Sequence, residues 1–235
     1  SLEGALNTTG AALFSSTVTI VGAGTFKSNV SVSGTTKLLG TVTATGNSGF
    51  LGTVRVSGAT SLEGALNTTG AALFSSTVTV VGAGTFKSNV SVSGTTKLLG
   101  TVTATGNAGF LGTVRVSGAT SLEAALNVTG AALFSSTVTV VGAGTFKSNV
   151  SVSGNSNLLG TVTVGGAVSL ASTLSVGGAS NFASTVTIGG AVSIAGALSV
   201  GGATNLLGTV TATGNSGFLG TVRVSGATSL EAALN

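Results

Sequence analysis

The sequence has no Cys, Pro, Met, Trp, Tyr, His or Asp, and its 235 residues include only four Glu. Each absence excludes something. Without His or Cys there is no imidazole base, no thiol nucleophile and no usual ligand for a transition metal. Four carboxylates far apart along the chain offer no general acid/base pair. Lack of Cys rules out disulfides, so thiols say nothing about the redox compartment. Without Pro or a G-X-Y triplet, the 39 Gly do not make collagen. The vocabulary points away from an enzyme and implies no metal or other cofactor. Charged residues are 5% of the chain, against about 25% in an ordinary globular protein. Disordered chains are polar and charged, whereas this one is 42% hydrophobic and has apolar surface to bury.

Eight Lys and Arg against four Glu leave a net charge of +4. The sequence pI of about 10.2 reflects how little titrates, not a basic run. Lys27, Lys37 and Arg55 are well separated in sequence, and no Tyr or Trp is present for base stacking, so nucleic acid is not an expected partner. No segment approaches the roughly 18–20 continuous apolar residues of a membrane helix, so membrane insertion is not expected. The Ser-Leu-Glu start lacks the basic and apolar regions of a signal peptide. Both termini fall inside a repeat, which reads as a segment of a longer protein with anchor and tip domains outside it.

What is present is repetition. Residues 1–60 and 61–120 differ only at Ile20/Val80 and Ser48/Ala108. Residues 121–154 begin a third copy, 155–204 are diverged 12-mers, and 205–235 return to the sequence of 37–67 with few changes. The whole chain, 1–235, reads as one continuous array. Within it lies a dodecad period. Stepping by twelve from Leu2 gives Phe14, Phe26, Leu38, Phe50 and so on to Leu230; all 20 occupants are Leu, Phe or Ile, and they include all 10 Phe. Four positions later the slot holds Leu6, Val18, Val30, Val42 and Val54, always Val or Leu. Eight after the first slot stands Gly in every repeat, as at Gly10, Gly22, Gly34, Gly46 and Gly58. Two after it the residue is always Gly, Ser or Ala.

These slots are even-numbered, and odd positions carry residues such as Thr17, Thr19, Lys27, Asn29 and Arg55. That alternation is the strand signature. β-Branched Val and Thr, with Gly in every half-repeat or nearly so, oppose a helix. The unit reads as two half-repeats, G-x-V-x-V-x and G-x-(small)-x-(L/F)-x, each a short strand ending at a corner where Gly tolerates positive φ and close approach. Without hairpin turns, a strict strand repeat coils rather than meanders. The expected fold is an all-β β-solenoid or β-helix of about twenty 12-residue repeats, with each Phe or Leu over its counterpart in the next rung. Two packings fit. A single chain makes a two-sided solenoid with one dodecad per coil, and one Leu/Phe and two Val per rung form its core. Alternatively, three chains intertwine as a homotrimer and pool their side chains. The thin single-chain core and the outward Leu13, Leu39, Leu51, Leu73, Leu99 and Leu111 favour the trimer.

Runs such as Thr-Thr-Lys-Leu-Leu-Gly-Thr-Val-Thr-Ala-Thr-Gly (35–46) and Ala-Val-Ser-Leu-Ala-Ser-Thr-Leu-Ser-Val-Gly-Gly (167–178) resemble the dodecad repeats in shafts of bacteriophage and large-virus tail fibres and of some bacterial surface fibres. The resemblance implies a homotrimeric β-structured shaft that spaces a receptor-binding tip from its base, outside the cell or on a virion or cell surface. A C-terminal self-cleaving chaperone domain follows many such shafts, and nothing here matches it.

Other motifs compete with a purely structural role. Val-Gly-Ala-Gly-Thr-Phe-Lys (21–27) has the look of a phosphate loop, but Gly22 and Gly24 occupy repeat positions and no helix is expected after them. Asn7, Asn29, Asn67, Asn89, Asn127 and Asn149 are candidate glycosylation acceptors on outward positions. The pairs Thr17/Thr19, Thr41/Thr43, Thr77/Thr79 and Thr185/Thr187 raise ice binding as a rival function, opposed by the other residues that interrupt the columns. Glu3, Glu63, Glu123 and Glu231 share one outward slot and are expected to pair with cations on nearby rungs, as solubility and register marks. The expected function is a passive fibre shaft, with a self-assembling surface filament or adhesin stalk as the alternative. The expected partner is the chain itself, as a homotrimer or by end-to-end stacking.

Overall fold

The computed structural model describes residues 1–234. Its described residues carry 38 strands of three residues each, from Leu6–Thr8 to Thr228–Leu230, and no helix. The chain forms two compact units, Ser1–Gly118 and Ala119–Asn235. Each is a β-solenoid built from parallel sheets.

In the first unit, β1 (Leu6–Thr8), β2 (Ala12–Phe14) and β3 (Val18–Ile20) lie in three different sheets, and β4 (Gly24–Phe26) returns to the sheet of β1. Leu6 pairs with Gly24, Asn7 with Thr25 and Thr8 with Phe26. One coil is therefore three half-repeats, each a short strand and a corner, and it has three sides. The second unit keeps the same offset, with Thr120 opposite Val138, Leu126 opposite Gly144 and Ala132 opposite Val150. Backbone bonds join coil to coil at both ends of a strand, as from Leu6 N–H to the Ala23 carbonyl and from Lys27 N–H to the Thr8 carbonyl, both 2.9 Å.

This corrects the two-sided coil of one dodecad, and the physical reason lies in the core. A three-sided coil turns six side chains inward. One coil supplies Val30, Val32, Thr36, Leu38, Val42 and Ala44, all buried. Two half-repeats would supply only four of these, Val30, Val32, Thr36 and Leu38, so the three-sided coil has half again as large a core, and one chain closes it. The undersized core that favoured three chains does not arise.

Stacking differs from the expected like-on-like column as well. A coil holds three half-repeats and a dodecad holds two, so the two kinds of strand alternate up each side. Phe14 stands opposite Val32, Val32 opposite Phe50, and Phe50 opposite Thr68. In the second unit Leu122 stands opposite Val140, and Val140 opposite Leu158. Each Phe thus sits on a smaller residue in the third position of the strand, although Ile20 meets Leu38, and Ile188 lies between Leu170 and Leu206. The first position compensates: Gly24 precedes Phe26, Ser48 precedes Phe50, and Val42 precedes Ala44. A Cβ at Gly24 would lie 3.0 Å from Cε2 of Phe26, so the ring lies over its own strand's glycine. Strands with a small residue before Phe or Leu thus alternate up each side with strands such as Val30–Val32, whose two buried Val occupy both heights.

The corners use glycine for one of the two reasons expected. No described residue has positive φ, glycine included. Close approach decides it. A Cβ at Gly22 would lie 2.6 Å from the Gly4 carbonyl carbon, and one at Gly40 would lie 2.3 Å from the Gly22 oxygen. The corners of successive coils touch backbone to backbone. The same half-repeat offset places an invariant Gly above and below every corner that carries Ser or Ala; Ser76 lies between Gly58 and Gly94.

Candidate functional site

The named core slots fall inside with three exceptions. Phe26, Leu38, Phe50, Val30, Val42 and Val54 are buried. Phe14 and Val18 are half-buried, and Leu2 is 39% exposed. All three belong to the first coil, which has a neighbouring coil on one side only. Leu2 still pairs with Ile20 as an isolated parallel bridge. Of the corner glycines, Gly22, Gly34, Gly46 and Gly58 each stand against the coil below, whereas Gly10 has open space around its Cβ position.

The inside also contains residues the alternation did not flag as polar. Thr36, Thr60, Thr96, Thr120, Ser156, Ser180, Thr204 and Ser216 are buried with hydroxyls that find no hydrogen-bond partner. They occupy the first strand position, where the following bulky residue requires something small. An unbranched Ser or a Thr meets that demand in volume but leaves a hydroxyl unsatisfied.

The interior is filled. The voids among the core side chains are small: about 30 Å³ beside Phe134, Phe146 and Phe182, and about 10 Å³ beside Phe14, Phe26 and Phe50. Neither holds more than a water-sized body. Binding therefore belongs to the outer surface. There the described residues contain no group of three carboxylate, His or Cys side chains that could hold a metal ion, and no helix long and apolar enough to cross a membrane. Gly22 is a corner and Gly24 opens a strand, and no helix follows them.

The asparagines divide into two classes, all six exposed. Asn7, Asn67 and Asn127 stand at the outward centre of a strand. Asn29, Asn89 and Asn149 stand in corners, where each carboxamide Oδ1 accepts an N–H from the coil above: from Asn47, Asn107 and Ala167, each at 2.9 Å. Asn47 Oδ1 in turn accepts from Ala65 N–H at 2.9 Å. A corner amide has no strand partner, so the side chain one coil earlier supplies one. Asn155 serves the hydroxyls of Ser172 and Thr173 at 2.5 and 2.9 Å. The signal was present in the sequence as Asn29 and Asn47, 18 apart, but a coil of one dodecad hid it.

The three-sided coil also rearranges the surface. Thr41/Thr43 and Thr77/Thr79 share a side but are two coils apart, with Ala59 and Ser61 between them. Thr17/Thr19 is followed on its side by Thr35/Lys37. In the second unit Thr187 has Ser169 and Asn205 as neighbours. None of these Thr-x-Thr pairs meets another on an adjacent coil. Leu13, Leu39, Leu51, Leu99 and Leu111 are exposed, Leu51 to 60%, and Leu73 is half-exposed. Glu63 lies in a corner between Thr45 and Val81, joined to the coil below through its N–H to Ala44. The expected Glu–cation pairs do not form among the described residues. Instead like charges meet: Lys37 stands directly opposite Arg55, and Lys97 opposite Arg115.

Comparison with family models, curated proteins and solved structures finds no match.

Proposed function

We propose that the chain is a structural shaft, a spacer in an extracellular, virion or cell-surface fibre. The observation that carries this is the ladder within each unit. Every side of a coil is bonded to the same side of the next, and the corners press backbone on backbone. Bending such a stack breaks many contacts together, so stiffness follows from the repeat itself. The near-identical blocks 1–60 and 61–120 support a length set by copying. Each unit, Ser1–Gly118 or Ala119–Asn235, holds between six and seven coils, roughly 30 Å of rise at about 4.8 Å per coil.

Electron microscopy tests the reading against the rival filament or adhesin stalk. Rods whose length grows by about 10 Å for every two coils inserted support a shaft. Indefinite fibres at every insert length favour end-to-end assembly. Light scattering addresses association. Since one chain supplies all three sides of its coil, a monomer mass is expected, and a stable trimer would return the intertwined fibre to first place. Ice binding is disfavoured by the separated Thr pairs, and a clear thermal hysteresis at micromolar protein would reinstate it. Sugars on Asn7, Asn67 or Asn127 fit the exposed strand centres; mass spectrometry of native material showing bare Asn at all six acceptors would remove them from the proposal.

A further inference from the structure

Four of the eight cations are not dispersed. Lys37 and Arg55 are partners on adjacent parallel strands of one side, and Lys97 and Arg115 are partners on another. Their backbones are thus held about 4.8 Å apart. All four side chains are exposed. Thr35 and Thr53 stand two positions before the members of the first pair, and Thr95 and Thr113 before those of the second; these threonines are exposed as well. Each cluster therefore presents a guanidinium fork, an ammonium and two hydroxyls on one flat surface. No carboxylate answers it. Glu3, Glu63 and Glu123 occupy corners, and among the described residues no ion pair forms. Like charges directly opposite each other on a sheet repel. Here the coil length enforces that contact twice, and a ligand of opposite charge relieves it.

The sequence block copied from 1–60 to 61–120 spans three coils and one side more. The second cluster accordingly lies one side round from the first and about 16 Å further along the axis. The two form successive steps of a track that winds round the first unit.

We propose that these clusters bind tetrahedral oxyanions, phosphate or sulfate groups carried on an extended polyanion, one such group per cluster. Arg matches two oxygens of a phosphate or sulfate through its fork, Lys adds a point charge, and Thr donates from its hydroxyl. The remaining cations, Lys27, Lys87, Lys147 and Arg223, have no cationic partner opposite them and make no such cluster. Asn205 stands opposite Arg223, where the first copy has Lys37 opposite Arg55. Binding at the clusters is independent of whether the chain serves as a shaft.

The test compares two charge-matched variants of the full chain by titration at about 0.15 M salt. One carries K37Q, R55Q, K97Q and R115Q; the other carries K27Q, K87Q, K147Q and R223Q. The probes are heparin, a sulfate ester polymer, and long-chain inorganic polyphosphate, and whichever binds identifies the carrier chemistry. The expected result is binding of at least one probe by the native chain. Affinity should fall about tenfold or more in the cluster variant and less than about threefold in the control. Equal losses in both would mean that net charge alone acts, and absence of binding to both probes would equally overturn the proposal. All eight positions are exposed, so both variants should retain the native circular dichroism spectrum. Loss of that spectrum in the cluster variant alone would show a structural role for the pairs and also overturn the proposal.

Discussion

At the scale of the residue, one question decides most substitutions: does the position face in, face out or touch the coil below? Val54 is 1% exposed, so Val54→Asp buries an unpaired charge and should lower stability by several kcal/mol in denaturant titration. Thr43→Asp, at an outward strand centre, should change it by less than about 0.5 kcal/mol. Similar losses in both would refute the assignment of faces. Glycines divide by contact. A Cβ at Gly58 would lie 2.4 Å from the Gly40 carbonyl, while Gly10 has nothing within 4 Å. Gly58→Ala should therefore cost about 1–3 kcal/mol, and Gly10→Ala should be neutral or slightly stabilising. The same melting experiment checks both. Thr36 is a third case. Its hydroxyl is buried without a partner, so the near-isosteric Thr36→Val should raise stability by about 1 kcal/mol. A loss instead would mean that the hydroxyl makes a bond the present geometry does not show.

At the scale of the element, the unit is a short strand and an equally short corner. The strand is legible in the sequence, because inward and outward residues alternate with period two and every second strand sets Gly, Ala, Ser or Thr before an inward Phe or Leu, while many of the strands between carry two inward Val. The diverged stretch relaxes this: Val168 precedes Leu170 and Val192 precedes Ile194, both pairs buried. The corner is only half legible. Its Gly, Ser or Ala is plain, but its hydrogen bonding depends on which corner lies above. Asn47 accepts the Ala65 N–H, a contact across one coil and therefore invisible until the coil length is known. Asn47→Ala should speed hydrogen exchange at the Ala65 amide and cost about 0.5–1.5 kcal/mol. Unchanged exchange there would show that water replaces the cap without loss.

At the scale of the whole molecule, two periods interact. The sequence repeats every two half-units and the backbone every three, so the arrangement recurs after six half-units, or two coils. Deleting one whole coil brings like onto like. Excising 61–78 would set Phe50 against Phe86 and Val54 against Val90. Excising 61–96 removes two coils and sets Phe50 against Ala104, restoring the alternation. The longer deletion should therefore melt no lower than the shorter one, although it leaves fewer coils. A lower Tm for the two-coil deletion would show that stacking order matters less than coil number. Surface features follow the same arithmetic. Each copied block advances by three coils and one side, which is why Lys37 and Lys97, identical in sequence context, lie on different sides of the first unit.

Alternation and Gly spacing are local, so the strand, its inside and outside, and the half-unit can be read from the chain one residue at a time. The number of half-units that close a coil cannot, since two sides or three both place a corner in every half-unit. Volume in the folded coil settles that number. With two sides, each Phe would stack on Phe or Leu and each Ser or Ala corner on another. With three, each Phe meets Val, Thr or Ala, and the Ser or Ala of a corner meets a glycine. The offset between the two periods then places Asn47 against Ala65, separates the Thr pairs and brings Lys37 to Arg55, three long-range outcomes that no single repeat contains.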